Sequence, residues 1–125
     1  MAKVGKNDVV YDLGCGTGKI VIEASRQCKK AIGVEIDPIR YFIARINVLF
    51  SRRKNCKIIL GNMFNQDISN ATVVLIFLRD KSTNQLKNKL RKIKGLRIVS
   101  HYWKFSGWKP IKQDKNMTLY LYKVI

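Results

Sequence analysis

The sequence predicts an α/β fold: a doubly wound, mostly parallel sheet of seven-stranded type, closed by a C-terminal antiparallel hairpin. Three observations predict it. Strand-like and helix-like segments alternate from Val9 onward, and alternating units of this kind wind a parallel sheet with helices on both faces. The first four strand-like runs are continuously apolar rather than alternating, as strands buried on both faces are. Near the end, two β-prone runs flank Asp114-Lys115-Asn116, the composition of a turn.

Val9-Val10-Tyr11 is the first β-prone run, and it leads into the glycine-rich stretch Asp12-Leu13-Gly14-Cys15-Gly16-Thr17-Gly18. Gly18 opens a segment in which Val21, Ala24 and Cys28 recur at helical spacing. Ala31 to Ile36 reads as the second strand and ends at Asp37-Pro38. An N-cap acid followed by proline at the first helical position marks a helix start. That helix presents Ile39, Phe42, Ile46 and Leu49 on one face, with Arg40 and Arg45 elsewhere on its surface. Lys57 to Leu60 and Thr72 to Leu78 read as strands three and four. Thr83 to Lys94 reads as a lysine-rich helix with Leu86, Leu90 and Ile93 aligned, stopped by Gly95. Arg97 to Ser100 is the fifth strand; Trp108 to Gln113 and Met117 to Lys123 form the terminal hairpin.

A chain of 125 residues has room for one core, so residues 1–125 are expected to form a single domain. No apolar run approaches the roughly 20 residues of a membrane span, and the N-terminus reads as no secretory signal. The expectation is a cytoplasmic protein without a membrane partner. Cys15, Cys28 and Cys56 are widely spaced, and His101 is the only histidine. Reduced, separate thiols and no metal site follow. Twenty-five basic residues against eight acidic ones give a formal charge of +17. Such a balance attracts polyanions and keeps nucleic acid among the partners, although a generally lysine-rich surface accounts for it equally simply.

In a doubly wound sheet, ligands bind outside the carboxyl ends of the strands where the winding reverses. The glycine loop after the first strand is at that place. Its glycines let the backbone come close to a ligand, and the helix that follows adds free N–H groups and partial positive charge. Glu35, at the end of the second strand, can accept hydrogen bonds from both ribose hydroxyls of a nucleoside. A dinucleotide loop would read Gly-x-Gly-x-x-Gly, but Lys19 occupies the position after Gly18.

With glycines at alternate positions and Asp12 two residues before the first, the stretch resembles motif I of the class I, Rossmann-like methyltransferases. The resemblance implies S-adenosyl-L-methionine as cofactor, its amino-acid end held by Asp12 and the loop backbone at Gly14, Cys15, Gly16 and Gly18. It places Glu35 at the ribose, Asn62 at the adenine amine and Met63 against the ring, with Ile36 also among the cofactor-binding residues. Several further stretches occur in order: Gly33-Val34-Glu35-Ile36, Gly61-Asn62-Met63-Phe64, Phe77-Leu78, Val99-Ser100-His101 and Gly107-Trp108-Lys109-Pro110. As a set they resemble the small archaeal protein-lysine methyltransferases. Eukaryotic relatives of these are mitochondrial enzymes that methylate the ATP synthase c-subunit and the adenine nucleotide translocase.

The resemblance runs from about Asn7 to the C-terminus. It implies transfer of methyl to lysine side chains of proteins, with Leu78, His101, Tyr102 and Trp108 as candidates for the acceptor side. Tyr102, Trp103, Phe105 and Trp108 are available to line an apolar mouth, where a lysine sheds its proton more readily. Trp108 equally serves to staple the hairpin, and His101 as a structural residue at a strand end. No catalytic side chain is assigned. Members of the family carry an N-terminal segment before the first strand, and here only residues 1–8 precede it. A fold lacking most of that helical segment is therefore expected. Two alternatives remain: an RNA methyltransferase, suggested by the charge, and a catalytically impaired cofactor-binding domain that binds nucleic acid or protein.

Overall fold

Residues 3–77, 85–101, 104, 105 and 107–125 are described in the computed structural model. Their strands are β1 (Val9–Leu13), β2 (Lys30–Glu35), β3 (Cys56–Leu60), β4 (Val73–Ile76), β5 (Arg97–His101), β6 (Lys112–Asp114) and β7 (Leu119–Lys123). The helices are α1 (Lys19–Ser25), α2 (Pro38–Ser51) and a short α3 (Lys87–Leu90), with a 3-10 turn at Met63–Asn65. One sheet runs in the order β3-β2-β1-β4-β5-β7-β6. β1 to β5 are parallel, whereas β7 is antiparallel to both β5 and β6. The chain winds outward from β1 through β2 to β3, then returns to place β4 on the other side of β1. That reversal is the switch point at which the glycine loop sits.

Successive strand residues point to opposite faces, and both faces are covered. Tyr11, Leu13, Val34, Ile76 and Ile98 join Leu86, Leu90 and Phe105 in one core cluster. Val10, Ala31, Ile58, Val73 and Val99 join Val21 and Ala44 in the other. Continuous apolar strands are the sequence counterpart of this double burial.

Helix α1 ends at Ser25, sooner than the Val21-Ala24-Cys28 spacing suggests. Its last carbonyl is taken up from elsewhere: Arg53 Nη2 and Asn55 Nδ2 donate to Ser25 O at 2.8 and 2.7 Å, and Asn55 Nδ2 also donates to Cys28 O, beyond the helix, at 3.0 Å. Cys28 is still buried beyond the helix end. For α2 the cap forms as read, with Asp37 Oδ1 accepting from Ile39 N at 3.0 Å and Pro38 in the first turn.

The face of α2 that meets the sheet differs from its apolar stripe. Tyr41, Ala44 and Val48 pack inward, while Ile39, Phe42, Ile46 and Leu49 are exposed. Ala44 decides this, because a Cβ built on Gly18 would come to 3.3 Å from the Ala44 Cβ. Only a small residue fits against the start of α1. Asn47 locks the same rotation by donating from Nδ2 to Thr17 O at 2.8 Å.

The helix expected over 83–94 is described in part, and residues 81–84 lie outside the described residues. Leu86 and Leu90 are buried as expected and Ile93 packs against them, but the helix ends at Leu90 with Arg91 as its C-cap, short of the expected Lys94, and Gly95, at φ 78, lies in the turn before β5. β6 begins at Lys112, later than Trp108, since Pro110 has no N–H to pair. The hairpin turn is held by Asp114 Oδ1, which accepts from Asn116 N and Met117 N at 3.0 and 3.1 Å.

Candidate functional site

The glycine loop is tied to the end of β2. Gly14 N and Cys15 N both donate to Val34 O, at 2.8 and 3.0 Å. Gly14, Gly16 and Gly18 have φ of 84, 58 and 83, the left-handed region that favours glycine. Gly18 is the N-cap of α1. A Cβ on Gly16 would meet nothing within 4 Å, so the loop backbone is open to approach there. Gly33 is glycine for the opposite reason: a Cβ on it would lie 2.7 Å from Cys15 Sγ and 2.9 Å from Val21 Cγ2. Cys15 therefore turns its side chain into the core and contributes backbone to the loop. Burial, with the charges of Asp12 and Glu35 adding to it, pushes its thiol up to about 12.

Glu35 is buried and holds two backbone groups at once. Oε1 accepts from Gly16 N at 2.8 Å, and Oε2 accepts from Asp37 N at 3.0 Å. A carboxylate offers about four acceptor positions, so two remain for a ligand. At the end of β3, Asn62 Oδ1 accepts from Phe64 N at 2.9 Å and caps the 3-10 turn. The three strand ends meet in a cleft of about 700 Å³ whose walls include Gly14, Glu35, Ile36, Asn62, Met63 and Phe77.

Asp12 lies behind the loop and is only 1% exposed. Neither carboxylate oxygen has a hydrogen-bond partner. Burial, then repulsion from Glu35, pushes its carboxyl up to about 7. A buried, unpartnered carboxylate is costly, and either a proton or a cation placed against it relieves that cost.

The structure thus gathers Gly14, Glu35, Ile36, Asn62 and Met63 around one cleft, with Gly16 and Gly18 in the adjoining loop and Asp12 buried in β1 behind it. Five residues of the cleft wall escape the sequence reading as site residues: Val34, Gly61 and Phe64, which neighbour predicted ones, and Phe77 and Arg40. Phe77 was visible only as part of a motif. Arg40 was read as helix surface, yet Pro38 at the helix start puts it in the first turn beside the cleft, 3.8 Å from Asp37.

On the other side, His101 is half-buried with its ring edge-to-face on Phe77, centroids 5.6 Å apart. Leu78, Tyr102 and Trp103 lie outside the described residues. Phe105 is buried in the core and does not line a mouth. Trp108 packs on Phe105 and Tyr122, at 5.1 and 6.2 Å between ring centroids, with Lys87 Nζ 5.2 Å from its own. It lines a separate cleft of about 410 Å³ with Arg91, Lys109 and Lys123.

A sheet ordered β3-β2-β1-β4-β5-β7-β6, with this loop at its switch point, has the architecture of the S-adenosylmethionine-dependent methyltransferases. The comparisons with known proteins narrow that class. Residues 12–112 match the ANTKMT methyltransferase domain. Over 139 aligned residues the chain is 45% identical to a protein-lysine N-methyltransferase of Saccharolobus islandicus, covering 99% of this chain and 84% of that one. It superimposes with a TM-score of 0.91 and 34% identity on an RNA methyltransferase from Salinibacter ruber in complex with S-adenosyl-L-homocysteine, covering 98% of this chain and 84% of that one. A ribosomal protein L11 methyltransferase of Clostridium botulinum is 33% identical over 73 residues, 58% of this chain and 23% of that protein. The chain belongs to the ANTKMT methyltransferase domain family.

The residues present fit S-adenosylmethionine in chemistry. The orphaned Asp12 carboxylate suits an ammonium group, Glu35 has acceptor positions left for hydroxyls, and Met63 and Ile36 offer apolar surface to a base and sugar.

Proposed function

We propose that the protein transfers methyl groups from S-adenosylmethionine to lysine side-chain amines of proteins. The observation that carries the choice of acceptor is the near-full-length, 45% identity to a protein-lysine N-methyltransferase. In this reading, residues 1–125 are one methyltransferase domain, and the protein is cytoplasmic, in keeping with three unpaired thiols. Asp12 faces the amino-acid end of the cofactor with the backbone at Gly14, Cys15, Gly16 and Gly18. Glu35 takes the ribose hydroxyls, Asn62 the adenine amine, and Ile36 and Met63 pack on the nucleoside. Leu78, His101, Tyr102 and Trp108 are the candidates for the acceptor side.

When bound, the cofactor supplies an electrophilic methyl group on a sulfonium. The protein's share is alignment and exclusion of water. Glu35 performs the alignment through bonds to both the loop and the cap of α2, so that one carboxylate fixes two walls of the cleft. Phe77 makes its wall beside His101 apolar, and such surroundings favour the neutral amine that a nucleophilic lysine requires.

A second reading, an RNA methyltransferase, has its own support in the Salinibacter ruber relative and in the charge of +17. Methyl-labelled cofactor separates the two. Incubated with mixed cell protein and RNA, the protein is expected to label protease-sensitive material and, on its own lysines, to add steps of about 14 Da to its intact mass. Label confined to RNase-sensitive material would replace the lysine reading with the RNA reading.

A further inference from the structure

The apolar stripe of α2 has no work in the cofactor site. On a helix turning about 100° per residue, Ile39, Phe42, Ile43, Ile46, Leu49 and Phe50 fall in one band opposite Ala44 and Val48. All six are exposed, Ile39 at 71%, Leu49 at 75% and Phe50 at 80%. Large apolar side chains gathered in one patch, rather than scattered singly, mark an interaction surface. The band is flanked by Arg40 and Arg45 and runs at its C-terminal end into Arg52, Arg53 and Lys54. Between α2 and β3 the surface sinks into a cleft of about 800 Å³, whose apolar wall of Phe42, Ile46 and Leu49 is rimmed by Arg45, Arg52 and Lys57. Lys29 and Lys30 extend the same basic surface.

Charge decides what this face can receive. Among the described residues, the ion pairs are Arg26–Glu23, Arg40–Asp37 and Arg97–Asp8; Arg45, Arg52, Lys54 and Lys57 take part in none of them. A second copy would bring the same cations against one another in a chain that already carries +17. Nucleic acid would meet the cations but give the aliphatic side chains nothing to bury against. A surface that is anionic at its face and apolar just beneath satisfies both sets. Arg52 adds to the argument: it is the C-cap of α2 at φ 60, a conformation that favours glycine, and it places a cation at the end of the stripe.

We infer that the outer face of α2, with the basic cluster at its C-terminal end, docks the protein on an anionic phospholipid bilayer. The helix lies in the plane of the interface, with Phe42, Leu49 and Phe50 inserted and Arg45, Arg52, Lys54 and Lys57 on the headgroups. No helix among the described residues is long and apolar enough to cross a membrane. A helix lying in the plane needs no such length, so the expectation of no membrane partner, drawn from the lack of a long apolar run, does not extend to this mode of binding.

Sedimentation of the full chain with phosphatidylcholine vesicles, and with mixed phosphatidylcholine–phosphatidylglycerol vesicles, tests the inference. Binding to the mixed vesicles is expected to be at least tenfold tighter and to weaken steeply with added salt. The combined variant Phe42→Ser, Leu49→Ser, Phe50→Ser should lose at least tenfold of it, while circular dichroism and methyl transfer to protein in solution stay as in the wild type. Charge reversal at Arg52→Glu, Lys54→Glu and Lys57→Glu should lose as much with the apolar stripe intact. Equal binding to neutral and anionic vesicles, or wild-type binding by the serine variant, would overturn the inference. So would a dimer in light scattering that the serine variant splits, or binding of polyuridylate that the serine variant loses.

Discussion

The carboxyl ends of β1, β2 and β3 and those of β4 and β5 lie side by side on one sheet, but they are built differently. Over the first three, position is fixed by backbone and short polar contacts. Gly14 and Cys15 donate to Val34, Glu35 accepts from Gly16 and Asp37, and Asn62 accepts from Phe64. Over the other two, one contact is a ring against another, Phe77 on His101. Hydrogen-bonded backbone holds one geometry closely, whereas stacked side chains can repack. The first half is thus suited to a ligand of fixed shape, the part that the proposed function gives to the cofactor.

The largest effect is expected where the first half is tightest. Gly33→Ala puts a methyl group into Cys15 Sγ and Val21 Cγ2 and should cost about 2–3 kcal/mol in urea unfolding. Adding Cys15→Ala relieves the Sγ contact but leaves Cys15 Cβ and Val21 Cγ2 at 2.9 Å, and should restore only part of it, a coupling read from the double-mutant cycle. Full stability of the single variant would mean that β2 and the loop do not approach this closely.

Next is Glu35→Ala, which removes an acceptor from the ligand and from two backbone N–H groups together. S-adenosylhomocysteine should bind more weakly by about 1–3 kcal/mol in calorimetry. Unchanged affinity would put the ribose elsewhere.

Asp12 sharpens the contrast with Glu35, because it is buried without the hydrogen bonds that Glu35 has. Its carboxyl titrates at about 7 in the folded protein against an ordinary 3.8. Between those values the folded chain holds a proton that the unfolded chain has released. Stability of the ligand-free protein should therefore fall as pH rises from about 4 to about 7. Asp12→Asn should remove that fall and be more stable than the wild type at pH 8 by more than about 1 kcal/mol. Thermal unfolding across this range checks it, and parallel profiles would show that Asp12 finds a partner.

The smallest effect belongs to the second half. His101→Leu removes the edge-to-face contact with Phe77, worth about 0.5–1.5 kcal/mol. It should raise the KM for a protein acceptor several-fold and leave cofactor affinity as it was. A loss of cofactor affinity instead would join the two halves into one site.

The same contrast explains what was legible in the sequence. The loop from Asp12 to Gly18 and the Asp37-Pro38 helix start are local patterns, and each stands where the sequence places it, whereas the helix expected to run to Gly95 ends at Leu90. Parallel pairing followed from the alternation of apolar runs, while the strand order is set by the fold. The rotation of α2 was not legible, since Ile39, Phe42, Ile46 and Leu49 are its more obvious apolar set. What turned it was a long-range contact, the small Ala44 against Gly18 with Asn47 on Thr17 O. Similarly, the sequence shows that Asp12 is acidic, but not that its oxygens are left without partners. Trp108 was open to two readings; it packs with Phe105 and Tyr122 rather than on the cofactor cleft, a pairing that only the folded hairpin creates.

The central claim is that the carboxyl ends of β1, β2 and β3 hold the cofactor, and an amide nuclear magnetic resonance titration with S-adenosylhomocysteine tests it most directly. The largest shifts are predicted at Gly14, Gly16, Gly18, Glu35, Ile36, Asn62 and Met63, with the signals of Arg52 to Lys57 and of Trp108 unmoved. Shifts centred on the Trp108 cleft or on the groove between α2 and β3, with the glycine loop unchanged, would contradict it.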